Sequence, residues 1–380
     1  MLIKNGLVFN SQTGRFDSKN IVVEDQVITQ LGAITKYDGE IIDARRARII
    51  PGLVDVHTHG RAGYDFLSAT SEELRTMAGS YARRGVTCVM PTLASAALED
   101  MYKAVDKLNN FEAADGEADF CGVHIEGRYL NPMKAGAHKR EFLSELRASE
   151  LEVDVLRECR ALHISAAAEL DTDGSFVKKA LEIGATVALG HTNASYASAK
   201  LAEERGVTAY THLFNTMPPL HHRDGGAVCA AFDGNAFAEL ICDGIHISPE
   251  MLSLAYRLLT PKRTVLISDS MEGAGCPDGE YSIAGNTVIM KDGRALTTEG
   301  ALAGSTLDLF EAMSNLIKLC GVPLSEAVLC ATANPCLEVG VYDKYGSIDV
   351  GKSADMIILG TESEPRIDKV IVRGKLIDVN

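Results

Sequence analysis

Short apolar runs alternate with helix-length amphipathic segments from residue 54 to about residue 335. Parallel strands are buried on both faces and appear as short apolar runs, each joined to the next by a helix. Helices are predicted over residues 71–85, which open with a Ser-x-Glu start, and 195–206; both segments end in glycine. The predicted strands lie near residues 53–57, 86–92, 120–126, 162–169, 186–191, 208–213, 238–244 and 264–269.

Eight strands with intervening helices predict an α/β protein built on a (β/α)8, TIM-like barrel. The chain contains no short internal repeat or low-complexity segment, which argues against a solenoid. The length of 380 residues suffices for a barrel and a further small unit.

The two chain ends differ from the middle, because both show short β-branched runs separated by glycine and charged turns. Neither end alone has enough strands to bury a core. We therefore predict that residues 1–50 and 340–380 pair into one small sheet domain, and that residues 51–339 form the barrel.

Metal-binding and acid–base side chains end five of the predicted strands. His57 and His59 project from the same side of the first strand, because successive strand residues point to opposite faces. Taken alone, this pair could equally be two solvated loop histidines. Active sites of barrels lie at the carboxyl ends of the strands, so the convergence favours a metal site. The other strand-end residues are Glu126, His191, His212 and Asp269.

The nine cysteines are scattered, odd in number and without a CxxC pair, which indicates reduced thiols rather than disulfides or a thiolate site. A metal would therefore be held by imidazole and carboxylate groups. Such ligands favour Zn²⁺, with Fe²⁺, Mn²⁺ and Co²⁺ as alternatives.

The net charge of −15 argues against nucleic-acid and anionic-membrane partners, both of which require clustered lysine and arginine. No apolar run reaches the roughly 20 residues of a membrane span. The first residues lack the pattern of a signal peptide, so we expect a cytoplasmic protein.

Specific motifs resemble one known family. PGLVDVHTHG resembles the first-strand signature of the amidohydrolase superfamily, and HIEGRYLNPMKAGAH, GHTNAS, THLFNTMPPLHHR and SDSMEGAG resemble its N-acetylglucosamine-6-phosphate deacetylase family. The resemblance extends over nearly the whole chain. It implies a metal-dependent hydrolase barrel with a small β-sandwich made by both chain ends, and hydrolysis of the acetamide of an N-acetylated amino sugar phosphate.

The resemblance also implies roles for individual residues. Glu126, His191 and His212 match the ligands of the main metal, and His57 and His59 match those of a second metal, so one or two ions per subunit are expected. Asp269 matches the carboxylate that moves the proton from the attacking water to the leaving amine. His138 matches a histidine that stabilises the developing oxyanion.

Substrate contacts are implied in the same way. Arg223 matches the phosphate-binding arginine, with Asn215 and Thr216 as further donors. The resemblance also implies a homodimer, because the phosphate site of relatives can lie near a subunit interface. Further expected contacts are Ala137 and His138 in the AGAH motif, His246, and Leu302 at the acetyl pocket.

Several positions depart from the family pattern. Arg128 replaces a usual proline, and we interpret it as a salt-bridge partner of a carboxylate. Gly225 and Gly226 replace an acidic-Pro-Gly ending, and Ser270 and Glu272 make the wall beside the catalytic aspartate more polar. These changes leave the galacto epimer or another N-acyl amino sugar phosphate open as substrate.

Two other classes deserve comparison with this assignment. Dihydroorotase- and hydantoinase-like enzymes normally use a carboxylated lysine from strand 4, and the segment ALHISAAAEL contains no lysine. A non-catalytic amidohydrolase-like scaffold would be expected to lose metal ligands, whereas this chain retains the full set.

Overall fold

A computed structural model describes residues 1–34, 36–360 and 364–379. The strands are β1 (Leu2–Asn10), β2 (Arg15–Glu24), β3 (Val27–Gly32), β4 (Ile41–Asp43), β5 (Arg48–Pro51), β6 (Leu53–Thr58), β7 (Gly60–Arg61), β8 (Tyr64–Asp65), β9 (Val86–Leu93), β10 (Asp119–Phe120), β11 (Val123–Glu126), β12 (Leu162–Ala166), β13 (Thr186–Leu189), β14 (Ala209–Tyr210), β15 (Phe237–Ile241), β16 (Thr264–Ile267), β17 (Gly279–Ile283), β18 (Asn286–Lys291), β19 (Arg294–Thr297), β20 (Met356–Leu359), β21 (Ile367–Val372) and β22 (Lys375–Ile377). The helices are α1 (Ser71–Arg83), α2 (Leu98–Asn109), α3 (Asp154–Arg157), α4 (Ser175–Glu182), α5 (Tyr196–Glu204), α6 (Gly226–Asp233), α7 (Pro249–Arg263), α8 (Leu309–Cys320), α9 (Leu324–Ala331) and α10 (Ala333–Glu338).

The predicted barrel is confirmed. Strands β6, β9, β11, β12, β13, β14, β15 and β16 pair in parallel in that order. The first and last strands meet at their carboxyl ends, where the Asp269 amide donates to the His57 carbonyl at 2.9 Å and the His59 amide donates to the Ser270 carbonyl at 2.8 Å. The barrel is thus nearly closed at the rim that carries the predicted site.

One predicted strand is interrupted. The segment expected at 120–126 forms two strands: β10, which pairs with β9, and β11, which lies between β9 and β12. Gly122 lies at the break, and a Cβ atom there would meet the Ala161 carbonyl oxygen at 2.2 Å. Glycine therefore allows the chain to pass close to the neighbouring backbone.

Both chain ends contribute to one eight-stranded sheet, in the order β22-β21-β20-β5-β1-β2-β3 with β4 beside β1. Strand β5 from the N-terminal end pairs with β1 in parallel and with β20 from the C-terminal end antiparallel. Strands from both chain ends therefore form one continuous sheet. The domain boundaries near residues 50 and 340 stay predictions.

The end sheet is apolar on both faces. Ile49 and Ile358 pack into a separate cluster of isoleucine, valine and alanine, while their neighbours Ile50 and Ile357 pack into the large core around the barrel. Period-two alternation places successive side chains on opposite faces, so the sheet has its own core and also packs against the barrel.

Helix α1 begins at Ser71, where the predicted helix begins, and it ends at Arg83. Its N-cap is Thr70, whose hydroxyl accepts a hydrogen bond from the Glu73 amide at 3.3 Å, while the Glu73 carboxylate accepts one from the Thr70 amide at 2.7 Å. This reciprocal pair satisfies two amides that lack partners within the helix.

An antiparallel three-stranded meander, β17–β19, follows the last barrel strand and was not predicted. Its apolar residues Ile283, Val288 and Ala295 pack with Met271 in a small cluster of their own. The Asn286 side chain donates to the carbonyl of Ala137 at 2.6 Å, which ties the meander to the loop after strand β11. The two segments together cover one side of the barrel mouth.

In the part of the chain that the structure describes, no helix combines the length and apolarity needed to cross a membrane.

Candidate metal centre and active site

The strand-end residues predicted from sequence lie together at the carboxyl rim of the barrel. Three of them, His191, His212 and Asp269, have positive φ angles of 45°, 29° and 47°. Residues other than glycine rarely adopt this backbone conformation, and the strain that it causes is concentrated at functional sites. The backbone turns abruptly where each strand ends and directs these side chains toward one centre.

Glu126, His191 and His212 form a compact group of potential ligands. Glu126 Oε1 lies 3.1 Å from His191 Nε2 and 2.8 Å from His212 Nε2, and the two imidazole nitrogens are 3.0 Å apart. All three side chains are buried. Three nitrogen and oxygen donors converging on one point are the usual protein contribution to a catalytic zinc site.

His57, His59 and Asp269 form a second group beside the first. Asp269 Oδ1 is 3.6 Å from His57 Nε2 and 3.4 Å from His59 Nε2. The other oxygen of Glu126, Oε2, lies 2.9 Å from His59 Nε2 and 3.4 Å from His57 Nε2. Glu126 therefore connects the two groups and could bridge two ions.

Hydrogen bonds fix which ring nitrogen of each histidine faces the centre. His191 Nδ1 donates to the Lys134 carbonyl at 2.8 Å, so Nε2 presents its lone pair to the centre. His57 Nδ1 lies 2.9 Å from Glu239 Oε2, and this carboxylate orients the ring in the same way. Glu239 was missed from the sequence, although an acidic residue inside an apolar strand is itself a signal.

Burial and charge oppose each other at the carboxylates. Burial favours a higher pKa for Asp269, but the adjacent His57 and His59 outweigh it and lower the pKa to about 2. The same conflict at Glu126 ends with a pKa well below the usual value, because His57 and the surrounding imidazoles stabilise the anion. Burial lowers the pKa of His191 to about 4, so this ring is neutral at pH 7 and can bind a metal.

His138 lies at the edge of the centre, with Nε2 3.5 Å from Glu126 Oε2. Its other nitrogen, Nδ1, lies 3.2 Å from the backbone amide of Ser95. A backbone amide can only donate, so Nδ1 accepts and a neutral His138 ring carries its proton on Nε2. The ring therefore offers a donor to the centre.

A cavity of about 200 Å³ opens above the metal-binding groups. His246 reaches it with one ring edge, because its Nδ1 is held by Asp243 Oδ2 at 2.6 Å. The Asn215 side chain is partly engaged by the His212 carbonyl at 3.2 Å, so it also stabilises its own loop. The predicted substrate residues that line the cavity are Ala137, His138, Asn215, Thr216, His246 and Leu302.

Arg223 is not brought into this cavity. It is exposed on the loop before α6, and its Nη1 lies 2.8 Å from Nε2 of the adjacent His222. The resemblance assigned Arg223 to the phosphate, and this role stays a prediction.

The two unusual residues near the centre make local contacts. Arg128 forms a bidentate salt bridge with Glu150, in which Nε donates to Oε2 and Nη2 donates to Oε1, each at 3.2 Å. This contact agrees with the salt bridge expected from sequence. The carboxylate of Glu272 accepts a hydrogen bond from the Ser282 amide in the meander and lines a neighbouring cavity with His59.

The sequence matches the profile of the amidohydrolase family over residues 48–377. The chain belongs to the amidohydrolase family. This family depends on divalent metals, and the two buried groups of nitrogen and oxygen donors agree with that requirement.

Amidohydrolase relatives align over most of the chain. N-acetylglucosamine-6-phosphate deacetylase of Vibrio furnissii is 33% identical over 93% of this chain and 91% of its own. N-acetylgalactosamine-6-phosphate deacetylase of Escherichia coli O157:H7 is 31% identical over 96% of both chains.

Solved amidohydrolase structures have the same fold. N-acetylglucosamine-6-phosphate deacetylase of Pasteurella multocida superposes with a TM-score of 0.88 at 25% identity, over 99% of both chains. A mutant of the enzyme of Mycobacterium smegmatis, solved in complex with N-acetyl-D-glucosamine-6-phosphate, gives a TM-score of 0.88 at 26% identity, over 99% of this chain and 98% of that one.

Proposed function

We propose that this chain hydrolyses the acetamide of N-acetyl-D-glucosamine 6-phosphate to D-glucosamine 6-phosphate and acetate. The observation that carries the proposal is the pair of buried ligand groups joined by Glu126 at the floor of the cavity. The relatives named as deacetylases of this substrate support the choice of sugar.

Zinc is the metal we propose, with one or two ions per subunit. Glu126, His191 and His212 would hold the main ion, and His57 and His59 would hold the second. Nitrogen and oxygen donors without thiolate favour Zn²⁺, and Fe²⁺, Mn²⁺ and Co²⁺ remain alternatives. When bound, the ion polarises the amide carbonyl and lowers the pKa of a water molecule.

Asp269 is the proposed proton carrier. An aspartate has an ordinary pKa of about 3.9 and a neighbouring cation favours its ionised form, so this carboxylate is ionised at neutral pH and can accept a proton from the attacking water. The same carboxyl group then delivers that proton to the departing amine. His138 donates its Nε2 hydrogen to the oxygen that gains negative charge as the carbonyl is attacked.

The sugar is proposed to occupy the cavity between the meander and the loop that carries Asn215. The acceptor nitrogen of His246, opposite its bond to Asp243, suits a sugar hydroxyl. Because Arg223 is exposed, we propose that the phosphate lies outermost, where this guanidinium can reach it. A homodimer and a cytoplasmic location stay predictions.

The galacto epimer is the second candidate substrate, because a relative of that name aligns over 96% of the chain. Acetate release would be measured from N-acetylglucosamine 6-phosphate, its galacto epimer and the phosphate-free sugar, with metal analysis on the same sample. Fast, chelator-sensitive turnover of the gluco compound supports the proposal. A preference for the galacto compound reassigns the epimer, and inactivity of the metal-loaded protein toward all three overturns the substrate class.

A further inference from the structure

A third group of metal-binding side chains lies inside the barrel, apart from the two groups at the rim. His163 is on strand β12, Glu239 is on strand β15, and Glu338 is the last residue of helix α10. One donor atom from each lies within 4.8 Å of the others. Their exposed fractions are 0%, 0% and 2%, so solvent does not satisfy them.

Four donor atoms of this group have no hydrogen-bond partner among the residues that the structure describes: His163 Nε2, Glu239 Oε1 and both carboxylate oxygens of Glu338. Buried polar atoms nearly always have a partner, so unpartnered atoms in three neighbouring side chains point to an occupant. The ring of His163 is oriented for binding: the Thr186 hydroxyl donates to the Leu162 carbonyl, so its oxygen accepts from His163 Nδ1 and leaves the Nε2 lone pair free.

Glu239 and Glu338 place two buried carboxyl groups close together, and ionising both would leave charge without a partner inside this group. Burying an ionised carboxylate without a partner is very costly, and a positive ion between the two would remove the cost. One imidazole and two carboxylates are a common donor set for zinc and for other divalent transition metals.

We propose that His163, Glu239 and Glu338 form a third divalent-metal site, which is structural rather than catalytic. Zinc binds imidazole and carboxylate donors at about 2.0–2.2 Å, so the three side chains would close around a bound ion.

The third site is coupled to the rim through Glu239. One carboxylate oxygen faces the third site, and the other accepts from His57 Nδ1 at 2.9 Å and from the His212 amide at 3.0 Å. An ion on the inner oxygen therefore fixes the carboxylate that orients a ligand of the active centre.

The test is the metal content per chain, measured by mass spectrometry of the acid-digested holoprotein, for the wild type and for Glu338→Gln and His163→Gln. Each variant should contain about one metal fewer than the wild type. Asp355→Asn removes another buried carboxylate, in the end sheet, and should leave the metal content unchanged. Equal metal content in all four folded proteins overturns the third site.

A measurement on the wild type covers the case in which a variant does not fold. Crystals of the holoprotein should give an anomalous difference peak between His163, Glu239 and Glu338 at the absorption edge of the bound metal. If peaks are present at the rim and no peak is found there, the proposal is overturned. A water molecule or a protonated Glu338 would then account for the unpartnered atoms. Metal content is independent of which sugar is hydrolysed, so this result and a failure of the proposed function can be distinguished.

Discussion

The barrel and the end sheet are both buried β-structures, yet their interiors are filled in opposite ways. The end sheet packs side chains such as Ile21, Ile49 and Ile358 into an apolar cluster. Barrel interiors usually contain layers of valine, isoleucine and leucine. Here the His124 ring instead packs against His57 and His163, with ring centroids 4.7 Å away in each case.

The difference shows that the end sheet serves stability, whereas the barrel interior serves the chemistry of the site. Apolar packing stabilises the end sheet and carries no chemistry. The barrel interior has less apolar packing at these positions, and its carboxylates and imidazoles orient one another instead. Ions bound at the proposed sites would neutralise part of this buried charge. Substitutions in the end sheet should therefore alter stability, and those in the barrel interior should alter metal binding or turnover.

The largest effect is expected at Asp269. Asp269→Asn keeps the size of the side chain but cannot accept a proton, so kcat should fall by about 10²–10⁴-fold. The ion held by Glu126, His191 and His212 should remain, which metal analysis checks. Normal turnover in a metal-replete Asp269→Asn protein would contradict the assignment of the proton carrier.

Ile49→Ala tests the other side of the comparison. Ile49 is fully buried in the end sheet, so its truncation should lower the free energy of unfolding by about 2–5 kcal/mol. Urea unfolding measures the loss, and kcat of the folded protein should be unchanged. Ile41→Ala is the matched control because this isoleucine is 48% exposed, and its effect should be small. A large loss of kcat in Ile49→Ala would show that the regions are not separate.

Asp355 is a buried acid in the apolar region and gives a pH test. Burial raises its pKa from 3.8 to about 6, so the folded state holds a proton that the unfolded state releases. This stabilising contribution is complete below about pH 4 and is lost as the pH rises through 6. Relative to wild type, Asp355→Asn should gain up to about 3 kcal/mol between pH 4 and pH 8. Urea unfolding measures the free energy of unfolding of both proteins at pH 4 and pH 8. An equal difference between the two proteins at both pH values would exclude the raised pKa of Asp355.

Arg223→Ala tests whether recognition extends beyond the buried centre to the exposed loop. Loss of one charge-assisted contact should raise KM for the phosphorylated sugar by about tenfold and leave the phosphate-free sugar unaffected. Arg257→Ala, at an exposed position on helix α7, is the matched control. An unchanged preference for the phosphorylated sugar would remove Arg223 from the phosphate site.

The fold was predictable from sequence because each barrel strand is a separate apolar run, and five of the predicted strands end on a chemically distinctive residue such as His191 or Asp269. Other features depend on contacts between distant segments. The meander β17–β19 is anchored by a contact between Asn286 and Ala137, 149 residues apart. The role of Glu239 depends on the closed barrel, because β15 pairs with β14 and β16 while the Glu239 side chain contacts His57 of β6, 182 residues away.

The left-handed backbone at His191, His212 and Asp269 has an evolutionary consequence. Glycine, asparagine and aspartate tolerate this conformation better than histidine does, so replacing a histidine here by glycine or asparagine would relieve strain while destroying a ligand. Selection for stability and selection for catalysis therefore act in opposite directions at these positions. In a descendant of this chain that no longer needed catalysis, we expect His191 and His212 to be replaced first, because the backbone at both positions favours other residues.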